Sequence, residues 1–185
     1  MSVLTLDPCP VDCAGALGAV SFSECAPELH YGEIAKMYVA RADAADFAAV
    51  DVITEWTARL DDTGVDADDI RTLIGIGELP EPEQTEVTIS GDRTIVGYKT
   101  YNLTFEVDET NDTNYELMLQ TQCNLTYKIW LEMSDGMLYG GNTGIELTLR
   151  GVHPLVKGRE EVQKIIFKGK WKSMNDPLRC LSPMA

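Results

Sequence analysis

The longest stretch of strand-like alternation in this chain covers residues 95–107. Its thirteen residues, fully extended, span about 43 Å, roughly twice the usual strand length. A strand this long suits a β-sandwich or barrel whose strands continue into a neighbouring subunit better than it suits a compact enzyme core. One face carries the apolar residues Tyr101, Leu103, Phe105 and Val107, and the other carries Thr100, Asn102, Thr104 and Glu106. We expect the four polar residues to face solvent or a lumen.

Shorter stretches share this two-residue period. They are residues 33–41, 126–133, 145–152 and 162–171. Asp135-Gly136 indicates a tight hairpin turn after the second of them. Within residues 126–133, we expect Tyr127, Ile129, Leu131 and Met133 to point inward and Thr126, Lys128, Trp130 and Glu132 to point outward. The sequence therefore predicts a mainly β protein, built as an antiparallel β-sandwich or barrel.

Two stretches favour short helices beside the sheet. Apolar residues recur at three- and four-residue steps across residues 46–60, which predicts an amphipathic helix or a pair of helical turns, with Asp46 as a candidate N-cap. The β-branched residues there leave a strand over residues 51–56 as an alternative. Thr113 and Glu116 have the spacing of a capping box, which predicts a helix over residues 113–122. One or two short flanking helices are expected.

Proline and glycine placement suggests how the chain is organised. Residues 1–32 are irregular in composition and are expected to form an extended N-terminal arm. Residues 33–80 are expected to form an acidic subregion packed on a β-rich body of residues 81–185, so that the chain forms one domain overall. Pro80 and Pro82 mark the boundary, because prolines this close forbid a helix and interrupt a central strand.

Charge is distributed unevenly along the chain, whose net charge is −15. Residues 1–85 carry 17 acidic and 4 basic side chains, whereas residues 150–185 carry 8 basic and 3 acidic ones. Such a chain repels nucleic acid on its acidic surface and can attract a copy of itself head to tail. The simpler alternative is that the acidic surface only keeps the protein in solution.

The last predicted strand concentrates the basic residues. One face of the strand predicted over residues 162–171, continued to residue 172, carries four lysines: Lys164, Lys168, Lys170 and Lys172. Four lysines in this arrangement indicate a subunit interface. They are equally typical of an exposed strand edge protected against wrong pairing.

Sequence motifs for catalysis are missing. The chain contains no G-x-S-x-G, H-E-x-x-H or P-loop pattern, and its two histidines have no neighbouring nucleophile. We therefore expect no enzymatic activity and no cofactor. The longest apolar runs are much shorter than the ~20 residues of a membrane helix, and the first residues do not have the pattern of a secretory signal.

The five cysteines do not suggest a disulfide framework, because the count is odd and the spacing uneven. Cys9, Cys13, Cys25 and His30 loosely match the spacing of a structural zinc site, which usually takes four nitrogen or sulfur ligands. We expect no metal site. A small zinc-stabilised binding module remains the alternative from another functional class.

The order of long strand, helix, hairpin and basic final strand resembles one known family. The residues that carry the likeness are IVGYKTYNLTFEVDE, the helix over residues 113–122, the hairpin YKIWLEMSDGMLYGG, GIELTLRG and IIFKGKW. Together they resemble the tail-tube proteins of tailed bacteriophages and related injection machines over residues 86–173. The resemblance implies a β-sandwich core with a flanking helix, hexameric rings that stack into a tube, and an acidic lumen through which DNA slides.

From this resemblance we expect a virion structural protein, assembled in the host cytoplasm, that forms the tail tube. Its expected partners are itself, in head-to-tail contacts, and other virion proteins, with DNA only passing through and no membrane. Another virion component, such as a capsid decoration or tail-terminator protein, is the alternative within the same class.

Overall fold

A computed structural model describes residues 32–60, 68–89, 93–123, 125–155, 158 and 162–184, with only the backbone considered at residues 93–96. The chain divides into two units, Met1–His30 and Tyr31–Ala185, and all described residues belong to the second. The strands are β1 (Ile34–Arg41), β2 (Ile70–Glu78), β3 (Glu83–Ile89), β4 (Arg93–Val107), β5 (Thr126–Met133), β6 (Met137–Tyr139), β7 (Ile145–Val152), β8 (Ile165–Ser173) and β9 (Arg179–Leu181), and the helices are α1 (Ile53–Thr57) and α2 (Asp112–Thr121).

Six strands close into an antiparallel barrel. Their order is β1-β2-β4-β8-β7-β5, and β5 pairs back onto β1. Strand β3 extends the sheet beyond the barrel by pairing with the first half of β4, and β6 and β9 form a short extension beside β5. The prediction of a mainly β antiparallel barrel with short flanking helices is confirmed.

The barrel interior is the main hydrophobic core. Strand β7 alternates strictly between buried and exposed residues, and β8 nearly does so, because successive side chains of a strand point to opposite faces. The interior side chains of the long strand are Tyr101, Leu103, Phe105 and Val107, all buried. Tyr101 stacks on Trp171 with 4.9 Å between ring centroids. The predicted apolar face of β4 therefore does line the core.

A second core covers the outer face of β1 and β5. Trp130 of β5 and Trp56 of α1 are fully buried there, with Phe47 stacked on Trp56 at 4.4 Å between ring centroids. Both indole N–H groups donate to main-chain carbonyl oxygens. Trp56 Nε1 donates to the carbonyl of Val50 at 2.7 Å, and Trp130 Nε1 donates to the carbonyl of Gly141 at 2.8 Å. Residues predicted to point outward from β5, namely Lys128, Trp130 and Glu132, do leave the barrel interior but are buried under this second layer.

The helix predicted over residues 46–60 is wrong in extent, and so is the strand alternative over residues 51–56. Only Ile53–Thr57 is helical. Phe47 N–H donates to the Asn142 carbonyl at 2.9 Å, and Val50 N–H donates to Asn142 Oδ1 at 3.0 Å. Asp46 accepts from Lys128 Nζ at 2.7 Å and caps no helix. Tertiary hydrogen bonds therefore replace helical ones, while the apolar residues are still buried.

Two other local predictions have different outcomes. Helix α2 begins earlier than the expected capping box, because Asn111 is the N-cap and its Oδ1 accepts from Asn114 N–H at 2.8 Å. The hairpin turn at Asp135-Gly136 is confirmed: Gly136 has φ of 84°, and its N–H donates to Met133 at 3.0 Å.

The predicted subregion of residues 33–80 contributes β1, α1 and β2 to the same sheet and second core as residues 81–185. The predicted N-terminal arm lies outside the described residues, except for Gly32.

Candidate functional site

The two polar rows predicted from the sequence lie side by side on the outer face of the barrel. In the pairing of β4 with β8, Thr100 lies opposite Lys172, and Asn102 lies opposite Lys170. Thr104 lies opposite Lys168 in the same register. Thr100, Asn102, Thr104 and Glu106 are half-buried and alternate with the buried core residues. The structure thus brings the predicted solvent face and the predicted interface together as one surface.

The four lysines do not share one environment. Lys164 precedes β8 and donates to Glu106 Oε2 at 3.0 Å, with Asp108 Oδ1 at 3.7 Å. The hydrogen bond to Glu106 and the attraction of both carboxylates raise the pKa of Lys164. Lys168, Lys170 and Lys172 are exposed, and no described residue forms an ion pair with them. Lys164 is therefore already paired within the chain, whereas the other three present their charge to solvent.

A fourth exposed cation extends this surface onto β7. Arg150 lies directly opposite Lys168 in the pairing of β7 with β8, and both side chains are exposed. Like charges placed opposite each other across a sheet destabilise it. We call Arg150, Lys168, Lys170 and Lys172 the basic row. Alternation with Leu149 marked Arg150 as outward-facing. Sequence reasoning did not place it beside Lys168, because alternation alone does not fix the register between two strands.

A hairpin arm projects beyond the barrel. Its described residues are those of β3 (Glu83–Ile89) and residues 93–98 of β4. Every residue of β3 is exposed, including Val87 at 51% and Ile89 at 37%, and Tyr98 on β4 is 60% exposed. Strand β8 ends at Ser173 opposite Lys99, so the earlier residues of β4 have β3 on one edge and no described strand on the other. The arm thus has apolar side chains and an open strand edge in water.

A pocket of about 630 Å³ lies where β1, β2, β4, β5 and β6 meet at one end of the barrel. Its apolar residues are Ile34, Leu79, Tyr101, Leu131, Met133 and Tyr139, and its acidic residues are Glu33, Glu78, Glu81 and Asp176. Tyr101 Oη donates to Asp176 Oδ1 at 2.5 Å, and Lys99 Nζ donates to the same oxygen at 2.9 Å. Burial and the neighbouring Asp176 raise the pKa of Tyr101, so the phenol stays a hydrogen-bond donor and does not serve as a base near neutral pH.

The outer face of β1 and β5, which we call the covered face because the second core lies over it, contains a buried carboxylate with three hydrogen-bond donors. Glu132 is buried and accepts from Lys36 Nζ at 2.7 Å, Tyr38 Oη at 2.6 Å and Ser182 Oγ at 2.9 Å. Burial alone raises a carboxyl pKa, but these three donors outweigh it and hold the pKa of Glu132 below its ordinary value. Because Ser182 belongs to the C-terminal segment, the cluster fastens that segment to β1 and β5. Its role is structural.

The candidate zinc ligands Cys9, Cys13, Cys25 and His30 lie outside the described residues. Among residues the structure does describe, no group of three or more His, Cys, Asp or Glu side chains could hold a metal ion. Cys123 and Cys180 are free thiols. None of the described helices has the length and apolar character needed to cross a membrane.

No protein-family model, curated protein or solved structure matches this chain. Its function is therefore inferred from the surfaces described above. Those surfaces are the basic row, the hairpin arm and the pocket at the end of the barrel. The first two are exposed surfaces, and the third is a cavity.

Proposed function

We propose that this protein is a virion structural subunit that assembles into hexameric rings, stacked head to tail as the tail tube of a bacteriophage or a related injection machine. The observation that carries the proposal is the hairpin arm, residues 83–89 and 93–98, which has exposed side chains on both strands. The ring number and the tube follow from the family resemblance, and the need for other copies follows from the arm itself.

The contacts within the hairpin arm give it little stability of its own, since an isolated two-stranded hairpin is marginal in water. Its exposed apolar residues Val87, Ile89 and Tyr98 gain nothing from the barrel core. An open strand edge is also a template for pairing with another chain. An arm of this kind becomes stable when a neighbouring subunit covers it, and identical subunits supply that cover in a ring.

The charge distribution supports contacts between unlike surfaces of identical subunits. Such head-to-tail contacts generate closed rings or open filaments. The basic row lies on the outer face of β7 and β8, whereas the chain as a whole carries −15. A subunit with this excess of negative charge repels phosphates, which suits a tube through which DNA passes without being held.

Electron microscopy and sedimentation of the purified full-length protein test the proposal. We expect rings and stacked tubes at moderate salt and neutral pH, and smaller species when the apolar residues of the hairpin arm are made polar in V87T/I89T. V52T/I53T is the matched control, because it makes the same exchanges at exposed positions outside the hairpin arm, and it should assemble like wild type.

A protein that stays monomeric at every protein concentration, salt concentration and pH contradicts the proposal. Rings that never stack favour a tail terminator, and trimers or other closed particles favour a capsid decoration protein. A zinc content close to one per chain, in protein purified without chelator, together with a monomeric state, favours the zinc-stabilised binding module instead.

A further inference from the structure

We propose that the basic row binds the acidic connector of a second copy of this chain. The acidic connector is residues 78–83, which join β2 to β3 and include Glu78, Glu81 and Glu83. This inference rests on the proposed function, because it names the pair of surfaces that hold two subunits together.

The basic row can recognise a partner only through its side chains. Strand β8 is hydrogen-bonded to β4 on one edge and to β7 on the other, so no strand can be added beside it. Its three exposed lysines repeat every second residue, about 6.7 Å apart along the strand. Arg150 adds a like charge opposite Lys168, an arrangement that costs stability in the isolated chain and is relieved by an anion.

The acidic connector has the complementary pattern. Glu81 and Glu83 are two residues apart in a segment where Pro80 and Pro82 favour extended backbone. Extended backbone rises about 3.1–3.4 Å per residue, so the Cα atoms of these two residues lie about 6–7 Å apart, close to the spacing of the lysines. Glu78, Glu81 and Glu83 are exposed, and no described residue forms an ion pair with them. The prolines lack N–H groups, which also favours contact by side chains.

The register of the sheet explains why the partner is a second copy. Glu83 lies opposite Thr100, and Thr100 lies opposite Lys172. Glu83 and Lys172 are thus two strand spacings apart, about 9.6 Å, and the structure contains no ion pair between them. Acidic residues therefore lie on one flank of this surface and basic residues on the other. Copies placed side by side in the same orientation bring the acidic flank of one to the basic flank of the next, which is a head-to-tail contact.

An acidic peptide fits the basic row better than nucleic acid does. The row has four cations, and the chain that presents them has a net charge of −15, which opposes a long polyanion. A short segment with two or three carboxylates meets only the local positive charge. We therefore commit to the connector, and the experiment treats nucleic acid as a competing outcome.

Charge reversal on each side tests the pairing. Three full-length variants are compared with wild type by sedimentation and electron microscopy: K168E/K170E/K172E, E81K/E83K, and the chain that combines all five changes. Each one-sided variant places like charges in contact, and we expect its concentration for assembly to rise at least about tenfold. The combined variant and an equimolar mixture of the two one-sided variants regain opposite charges across the contact, and we expect both to assemble.

The control variant is E116K/D51K, which changes the net charge as much as E81K/E83K does but at exposed positions away from both surfaces. It is expected to assemble like wild type. Circular dichroism and thermal unfolding of dilute protein establish that each variant is folded, as expected for exposed positions.

The outcomes separate this inference from the proposed function. If wild type assembles and K168E/K170E/K172E assembles equally well, the inference is overturned and the proposed function stands. If wild type does not assemble, both fail. If a labelled DNA duplex binds wild type but not K168E/K170E/K172E while assembly is unchanged, the row is a nucleic-acid site and the inference is overturned.

Discussion

Two outer faces of the barrel differ in whether other parts of the chain cover them. The face of β1 and β5 is covered by residues 42–60, β6 and the C-terminal segment, which bury Trp56 and Trp130 completely. The face of β4, β8 and β7, which we call the bare face, carries the half-buried polar residues of β4 and the basic row. The first face is completed within the chain. The second carries exposed charged side chains and no covering layer of described residues.

The two faces also differ in how they handle charge. On the covered face, Lys36 and Glu132 form a close ion pair within a hydrogen-bonded cluster. On the bare face, Arg150 and Lys168 are placed opposite each other without a described acidic partner. The chain thus pairs its buried charges on the covered face and places like charges opposite each other on the bare face. This contrast is the reason for proposing a partner for the bare face.

The largest expected effect comes from removing the centre of the covered face. W130A deletes a fully buried indole packed against Phe47 and Trp56. We expect a loss of about 3–5 kcal/mol of unfolding free energy, measured by urea denaturation of dilute protein. K170A on the bare face is the control and should change this free energy by less than about 0.5 kcal/mol. Similar losses of unfolding free energy in W130A and K170A would contradict the claimed difference between the two faces.

The next effect concerns the buried carboxylate of the covered face. E132Q leaves Lys36 without its anion, and we expect a loss of about 1–3 kcal/mol at neutral pH. E116Q on the exposed side of α2 is the matched control and should be nearly neutral.

The pH dependence of E132Q follows from the lowered pKa of Glu132. Below the ordinary value of 4.5, the unfolded chain binds a proton that the folded chain does not, so wild-type stability falls as the pH falls through the folded pKa. The difference in unfolding free energy between wild type and E132Q should therefore decrease as the pH falls below 4.5. A difference that stays constant from neutral pH to acid unfolding would contradict this role for Glu132.

A smaller effect of opposite sign is expected on the bare face. K168T removes the charge opposite Arg150, and we expect dilute protein to gain about 0.2–1 kcal/mol of unfolding free energy, while assembly weakens. K172T removes a lysine that lies opposite Thr100 and should give no such gain. The gain should also shrink in high salt, because salt screens exposed charges. Destabilisation by K168T would mean that the lysine already has a favourable partner within the folded chain.

The smallest effect on folding is expected at the hairpin arm. V87T/I89T changes two exposed side chains, and unfolding of dilute protein should shift by less than about 0.5 kcal/mol. The same variant should raise the concentration needed for assembly. A large loss of unfolding free energy in V87T/I89T would show that the arm is already stabilised within the isolated chain. It would then need no neighbouring subunit to cover it.

The parts of the fold that depend on local alternation were predictable from sequence. The apolar residues of β4 and β5 were assigned to the correct face, since a two-residue period requires no knowledge of the partner strand. The position of Arg150 opposite Lys168 was not predicted, because alternation along one strand does not fix its pairing register with the next strand. The second core was also missed, since Phe47 and Val50 have helical spacing but their backbone is held by Asn142.

Hydrogen–deuterium exchange measured on dilute and on assembled protein tests the central claim most directly. The claim is that other copies cover the hairpin arm, whereas the face of β1 and β5 is already covered within the chain. We expect amides of residues 83–89 and 93–98 to exchange quickly in dilute protein and to become strongly protected on assembly, with little change in β1 and β5. Equal exchange of the hairpin arm in both states, or protection appearing first in β1 and β5, would contradict the account.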